Sequence, residues 1–246
     1  MNRFLTAVPI LLILVFSGIG HAHRNGHGLP PDYKYQISHH HQKTDALIYR
    51  EERVKFIKDG VYTSNAIYSK PDGTVVQKTS SVYHLDTLKL VSYRKEHLPT
   101  GKIEEMKVLG DKVEIRYRKQ TGKAFETETL KWKDSFIFSN SIFDLIVRDW
   151  DKLEKGEKVA FDLLVPSRLE TLVFRIAKEG EETVAGEKVS VVRMDPDSWI
   201  IRKLVDPLFF YVSASHPHKL MKYVGRSSVD TDEGKDQDLK TIYAYP

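Results

Sequence analysis

Turn signals recur at short intervals along the middle of this chain, and the runs between them have strand length. Lys70-Pro71-Asp72-Gly73, Leu98-Pro99-Thr100-Gly101, Gly110-Asp111 and Thr121-Gly122 each place Pro, Asp or Gly where tight turns favour them. Between them lie Val61 to Tyr68, Thr74 to Tyr83, Leu88 to His97, Lys102 to Leu109, Lys112 to Arg118 and Lys123 to Trp132, with Ala46 to Ile57 ahead of them. The clearest sets Val113, Ile115 and Tyr117 on one face and Glu114, Arg116 and Arg118 on the other. Such alternation gives a strand with one dry and one wet face, as in antiparallel sheets.

One helix interrupts the series. Asn140 or Ser141 is placed to cap it. Ile142, Phe143, Ile146, Val147, Trp150 and Leu153 share a face at helical spacing, with Asp144, Arg148, Asp149, Asp151 and Lys152 opposite. Gly156 supplies a stop. Strand-like runs resume at Glu157 to Val165, Thr171 to Ala177 and Lys188 to Met194. Trp199 to Val205 reads as a short helix, and Leu208 to Ala214 and Leu220 to Val224 flank His216-Pro217-His218 as a last hairpin. Val229 to Asp238 reads as a loose polar loop and Leu239 to Tyr245 as an edge strand. The expected fold is mainly β: a curved antiparallel sheet, a half-open barrel, with one central amphipathic helix from Ser141 to Lys155 on its concave face and a second short helix. It forms a single domain over residues 46–246. Strands so dense in Lys and Glu do not suit a transmembrane barrel, whose lipid-facing residues are apolar.

The chain begins with Arg3, an apolar run from Phe4 to Ile19, and the small residues Gly18, Gly20 and Ala22. That is the pattern of a secretory signal over residues 1–22, cut after Ala22 or after Gly20. Cleavage after Ala22 leaves 224 of the 246 residues, ample for a hydrophobic core. The expected location is periplasmic or secreted. There is no cysteine and no Asn-x-Ser/Thr sequon, which fits a bacterial envelope protein without disulfides or an N-terminal lipid. Lys and Arg number 38 against 34 Asp and Glu, a net +4, with no basic block to serve as a nucleic-acid footprint. No second apolar run approaches the ~20 residues a membrane helix needs, so no transmembrane span is expected once the signal is removed.

Residues 23–45 read as a flexible, histidine-rich leader. His21, His23, His27, His39, His40 and His41 are the candidate metal ligands, because imidazole suits Cu, Ni and Zn. A terminus at His21 with His23 in third position offers a square-planar Cu(II) or Ni(II) site, and a terminus at His23 offers an amine and a ring to copper. No resident cofactor is expected beyond such adventitious metal. His216-Pro217-His218 reads as an exposed hairpin tip.

Nucleophile motifs are absent: no Gly-x-Ser-x-Gly and no cysteine. Adjacent glutamates such as Glu51-Glu52 and Glu104-Glu105 point to opposite faces of a strand, so they do not pair for acid–base chemistry, and catalysis is not expected. The aromatics remain. Trp132, Phe136, Phe138, Phe143 and Trp150 cluster around the helix start, with Trp199 near the end. A half-barrel leaves an apolar mouth that suits a ligand, and these six are the candidate ligand-binding residues.

Lys89-Leu90-Val91-Ser92-Tyr93-Arg94 before a Gly turn, the stretch from Gly122 to Trp132 entering the helix, Val205-Asp206-Pro207-Leu208-Phe209, and Lys219-Leu220-Met221-Lys222-Tyr223-Val224-Gly225 carry a resemblance. With the order of elements, they resemble a broad group of exported bacterial half-barrel proteins of unknown function. That group is similar to the periplasmic lipoprotein-sorting carriers, which wrap a curved sheet around helices and hold acyl chains. The resemblance covers most of residues 46–228 and implies a non-catalytic carrier or binding protein of the envelope with a lipid-like or apolar ligand. The alternatives from the residues themselves are metal binding through the leader and a structural or assembly role with an envelope protein.

Overall fold

The computed structural model describes residues 32–202 and 206–245. The signal segment, His21, His23 and His27 lie outside the described residues, as do residues 203–205 at the end of the second expected helix.

Within the described residues fifteen strands form one curved sheet. In chain order they are β1 (Asp32–His41), β2 (Leu47–Lys58), β3 (Val61–Ser69), β4 (Val75–His84), β5 (Leu90–His97), β6 (Lys102–Leu109), β7 (Lys112–Arg118), β8 (Glu126–Lys131), β9 (Phe136–Ile137), β10 (Val159–Val165), β11 (Glu170–Val184), β12 (Glu187–Pro196), β13 (Leu208–Ser213), β14 (Leu220–Arg226) and β15 (Asp238–Ala244). Two meanders run outward from a central seam. β1 through β8 form one wing and β15 back to β10 the other, and β1 pairs with β15 to join them. The ends of the order are β8 and β9, which do not pair with each other, so the sheet does not close into a barrel. Every ladder is antiparallel except the two-residue pairing of β9 with β10.

The turns fall where Pro, Gly and Asp stand. Gly101 adopts φ +68° and donates its N–H to the His97 carbonyl at 2.8 Å. A Cβ there would collide with Thr121 Oγ1, so this turn needs glycine.

Two expectations at the seam are corrected. Residues 32–41 are not flexible leader but strand β1, bonded to β2 on one side and β15 on the other. Ile37 and His39 are buried while Gln36 is exposed and Ser38 and His40 are half-buried, a period of two that the polar, histidine-rich composition conceals. Leu239 to Tyr245 is not an edge: β15 lies between β1 and β14.

The helix lies against the inner face as two pieces, α1 (Ile142–Arg148) and α2 (Trp150–Glu154). The break falls at Asp149, whose carboxylate accepts from Arg148 at 3.0 Å and Lys152 at 2.6 Å. Ile142, Leu145, Ile146 and Leu153 are buried among Tyr83, Met106 and Ile115 of one wing and Phe161, Ile176 and Val212 of the other. Each such aliphatic chain contributes about 1.5–3 kcal/mol when removed from water. The expected polar face is wrong at two positions, Asp144 and Asp149, both of which are buried. Asp144 is buried, because Tyr83 hydroxyl from β4 donates to its Oδ2. The second helix, α3 (Trp199–Arg202), is four residues within the described part.

Candidate functional site

A cavity of about 320 Å³ lies between the inner face of the sheet, the start of α1 and the turn at Pro166–Arg168. Its two walls differ. On the β10–β14 wing it is lined by Leu163, Leu164, Met194, Leu208, Phe210 and Leu220. On the other wing it is lined by His39, Glu51, Arg53, Lys55, Lys95 and Glu104, with Thr241 beside His39. Tyr35, Tyr62, Tyr93, Tyr223, Tyr243 and Tyr245 also face it.

Strand alternation puts the charges there. In β2, Glu51, Arg53 and Lys55 sit opposite Tyr68, Ala66 and Ser64 of β3, whereas the intervening Glu52 is exposed and pairs with Lys34 at 2.7 Å. Lys95 of β5 is paired in register with Glu104 of β6. Glu105 faces the other way, ion-paired with Arg94 and Arg116. The expected opposition of neighbouring glutamates therefore holds, and it leaves Glu51 and Glu104 inward.

These inward charges are compensated. Arg53 Nε donates to Glu51 Oε1 at 2.6 Å. His39 lies 3.0 Å from Glu51 Oε2 through Nε2 and 3.0 Å from Thr241 Oγ1 through Nδ1. Burial opposes ionisation of Glu51, yet the Arg53 charge and the His39 bond overcome it and hold the carboxyl below its ordinary value. Burial also opposes the charge on Lys95, but Glu104 and Asp230 outweigh it and raise the ammonium above its ordinary value. Lys95 Nζ donates to Asp230 Oδ1 at 2.9 Å. Lys102 Nζ lies 3.1 Å from Asp230 Oδ2 and 3.4 Å from Glu104, close enough for an ion pair without good hydrogen-bond geometry to Oδ2. Lys55 behaves differently. Burial pushes its amine down to about 8 against the partial support of Asp144, and its Nζ sits 4.6 Å from the centre of the Tyr62 ring. Burial likewise pushes the Tyr62 hydroxyl up to about 12.

Asp230 belongs to the segment expected as a loose loop, which is corrected. Residues 227–230 fold back over the inner face of β2–β6. Tyr68 hydroxyl meets Ser228 Oγ at 3.1 Å, Gln77 Nε2 donates to the Ser228 carbonyl at 2.8 Å, and Asp230 N–H donates to Gln77 Oε1 at 3.3 Å. Val229 is buried with Tyr49, Ala66, Tyr68, Val76 and Leu239. Polar side chains read as solvated thus satisfy buried partners. His97, buried in the same region, bonds Thr100 Oγ1 through Nδ1 at 2.8 Å, and burial lowers its pKa below the ordinary histidine value.

Of the six aromatics singled out in the sequence, Phe143 lines the cavity. Phe136 and Phe138 are buried in the core around α1, with Phe138 edge-on to Tyr83 at 5.1 Å. Trp132 packs edge-on to Phe136 at 5.6 Å. Trp150 stacks on His218 at 4.0 Å, and Trp199 is 64% exposed. Of the described histidines, His39 alone lines the cavity. His40 lies 2.9 Å from Ser38 Oγ and 3.0 Å from the Asp45 carbonyl, and His41 lies 3.2 Å from Thr44 Oγ1. A metal at His39 or His40 would have to displace bonds already made at both ring nitrogens. Among the described residues no group of three or more His, Cys, Asp or Glu is placed to hold an ion.

The polar wall was missed because hydrophobicity is the usual marker of an inward face. The signal was present in reverse. β2 points Glu51, Arg53 and Lys55 inward and leaves the intervening Phe56 44% exposed.

No family model and no curated protein matches the chain. Among solved structures it is similar to a crystal structure described as "putative outer membrane lipoprotein-sorting protein domain" from Vibrio parahaemolyticus, at 7% identity, covering 87% of this chain and 83% of that one, with a TM-score of 0.26. The two share extent rather than close superposition, and the likeness carries nothing about activity.

Proposed function

We propose that this chain is a binding or carrier protein of the bacterial cell envelope that holds a lipid-like molecule without transforming it. The observation that carries the reading is the cavity itself. It is walled by Leu163, Leu164, Met194, Leu208, Phe210 and Leu220 and reaches the start of α1 at Ile142 and Phe143. Its volume is at the small end of ligand pockets, which run about 300–1,000 Å³. An acyl chain laid on this wall gains about 0.8 kcal/mol per buried CH₂. The signal-like first 22 residues support export. The charged side chains around the cavity are engaged with one another, as a binding wall requires.

The test is native mass spectrometry of protein purified without detergent from the envelope fraction of its host. The expected result is extra mass that is lost on denaturation and extracts into organic solvent. Bare protein, with Phe210→Ala and Leu163→Ala binding added lipid as well as the parent does, would overturn the reading.

A further inference from the structure

The geometry points to a more specific occupant: a single-chain amphiphile whose head group has zero net charge, its chain against β10, β12 and β13 and its head against β2, β5 and β6. This inference rests on the binding function proposed above and adds the chemistry of the ligand.

Three observations carry it. First, the cavity is two-sided. An all-hydrocarbon ligand would cover Leu163 and Phe210 well but would strip water from Arg53, Lys55, Lys95 and Glu104, which face the same space. Even an ion-paired guanidinium, ammonium or carboxylate keeps donor or acceptor positions that hydrocarbon cannot meet, so a ligand matching both walls needs a polar end. Second, the volume of about 320 Å³ suits one chain rather than two.

Third, the wall carries no charge left over for an ionic head. The cations lining the cavity are Arg53, Lys55, Lys95 and Arg226, and the carboxylates are Glu51, Glu104, Asp144 and Asp236. The lining has four of each sign, and with the partners just behind it, Lys102, Asp230 and Asp238, the one carboxylate in excess lies at the exposed rim beside Arg226. Arg53 is held by Glu51, and Lys95 by Asp230 with Glu104 at 3.8 Å. Lys55 lies in the field of Asp144, and Arg226 is bonded to Asp236 at 3.0 Å and Asp238 at 2.9 Å. At Arg53 and Lys95 an anionic head would have to take a cation from a buried carboxylate and leave it unpaired, and a cationic head would do the reverse. Both are disfavoured in a desolvated site. A zwitterion meets both signs at once, and a polyol needs only donors and acceptors, which the six tyrosines, Ser228 and Thr241 also supply.

The experiment titrates the purified full chain, by calorimetry below each micelle threshold, with four probes sharing a dodecyl chain: dodecyl maltoside, dodecylphosphocholine, dodecanoate and dodecyltrimethylammonium. The expected result is that maltoside, phosphocholine or both bind at least tenfold tighter than either ionic probe, which also tells a polyol preference from a zwitterionic one. Equal affinities, or tighter binding of an ionic probe, would overturn the inference while leaving the binding function intact. Failure of all four to bind would overturn the binding function and the inference with it. Two variants shift the balance of the wall: Glu104→Gln within it, and the double variant Asp236→Asn with Asp238→Asn, which takes both carboxylate partners from Arg226 at positions 58% and 38% exposed. Each frees positive charge and is expected to raise dodecanoate affinity at least threefold. No gain from the Asp236→Asn, Asp238→Asn double variant in protein that unfolds like the parent would overturn the charge-balanced wall.

Discussion

Glu51 shows how one residue's surroundings set its contribution. It is 2% exposed, yet Arg53 and His39 keep it ionised. Its folded pKa lies below the ordinary 4.5, so the stability it adds is fully present above that value and is lost as pH falls through the folded pKa. Urea midpoints measured from pH 6 down to 3 should fall more steeply for the parent than for Glu51→Gln. At pH 7 that variant should lose about 3–5 kcal/mol, because Arg53 is left buried without its partner. Lys55 runs the other way. Its folded pKa of about 8 lies below the ordinary 10.5, so the unfolded chain holds the extra proton between these values and stability rises as pH increases across that window. Denaturation curves at pH 7.5, 8.5 and 9.5 should show this rise, and Lys55→Gln should flatten it. That neighbouring glutamates face opposite ways is legible in the sequence, but which of each pair faces the cavity is not, because only its register with the strands beside it decides that.

At the scale of elements, much was legible wherever local chemistry decides. Val113 and Ile115 are fully buried, as their alternation requires, and the turn at Gly101 stands where Pro99 and Gly101 announce it. Gly101→Ala should cost about 1–3 kcal/mol for forcing a side chain into left-handed backbone, read from the shift in the urea midpoint, with Thr121→Ala relieving the steric part. What was not legible depends on partners distant in sequence. The strand at Asp32–His41 forms because β15 supplies its second neighbour, and the loop before β15 is held because Lys95 and Lys102 await Asp230. Asp230 is 1% exposed. Asp230→Asn should therefore destabilise by about 3–5 kcal/mol, and pairing it with Lys95→Met should recover part of that loss, the signature of coupled neighbours. Additive losses in the double variant would show that the two side chains do not act together. The helix was placed correctly by its spacing, but its break at Asp149 and the inward turn of Asp144 answer to Lys152 and Tyr83, which spacing does not see.

Across the whole molecule, two wings share one inner face, and helix and cavity sit between them. The mainly β, open architecture followed from the rhythm of turns and short strands. The division of that face into an apolar wing and a charged wing did not, since each wing reads simply as strands. The seam where β1 meets β15, with Ile37 beside Tyr243, is the join on which both wings depend. Deleting residues 32–41 removes the ladders of two neighbours at once. The shortened protein should lose its cooperative thermal transition by circular dichroism, whereas an intact sharp transition would show that the wings stand independently.

That seam also sets an order in time. The strand made first in the described chain cannot gain its second neighbour until the last described strand, β15, has been synthesised, and contacts so far apart in sequence form slowly. A nascent chain of this design stays incomplete while it is being made. Until β15 is made, the backbone groups on one side of β1 have no partner strand.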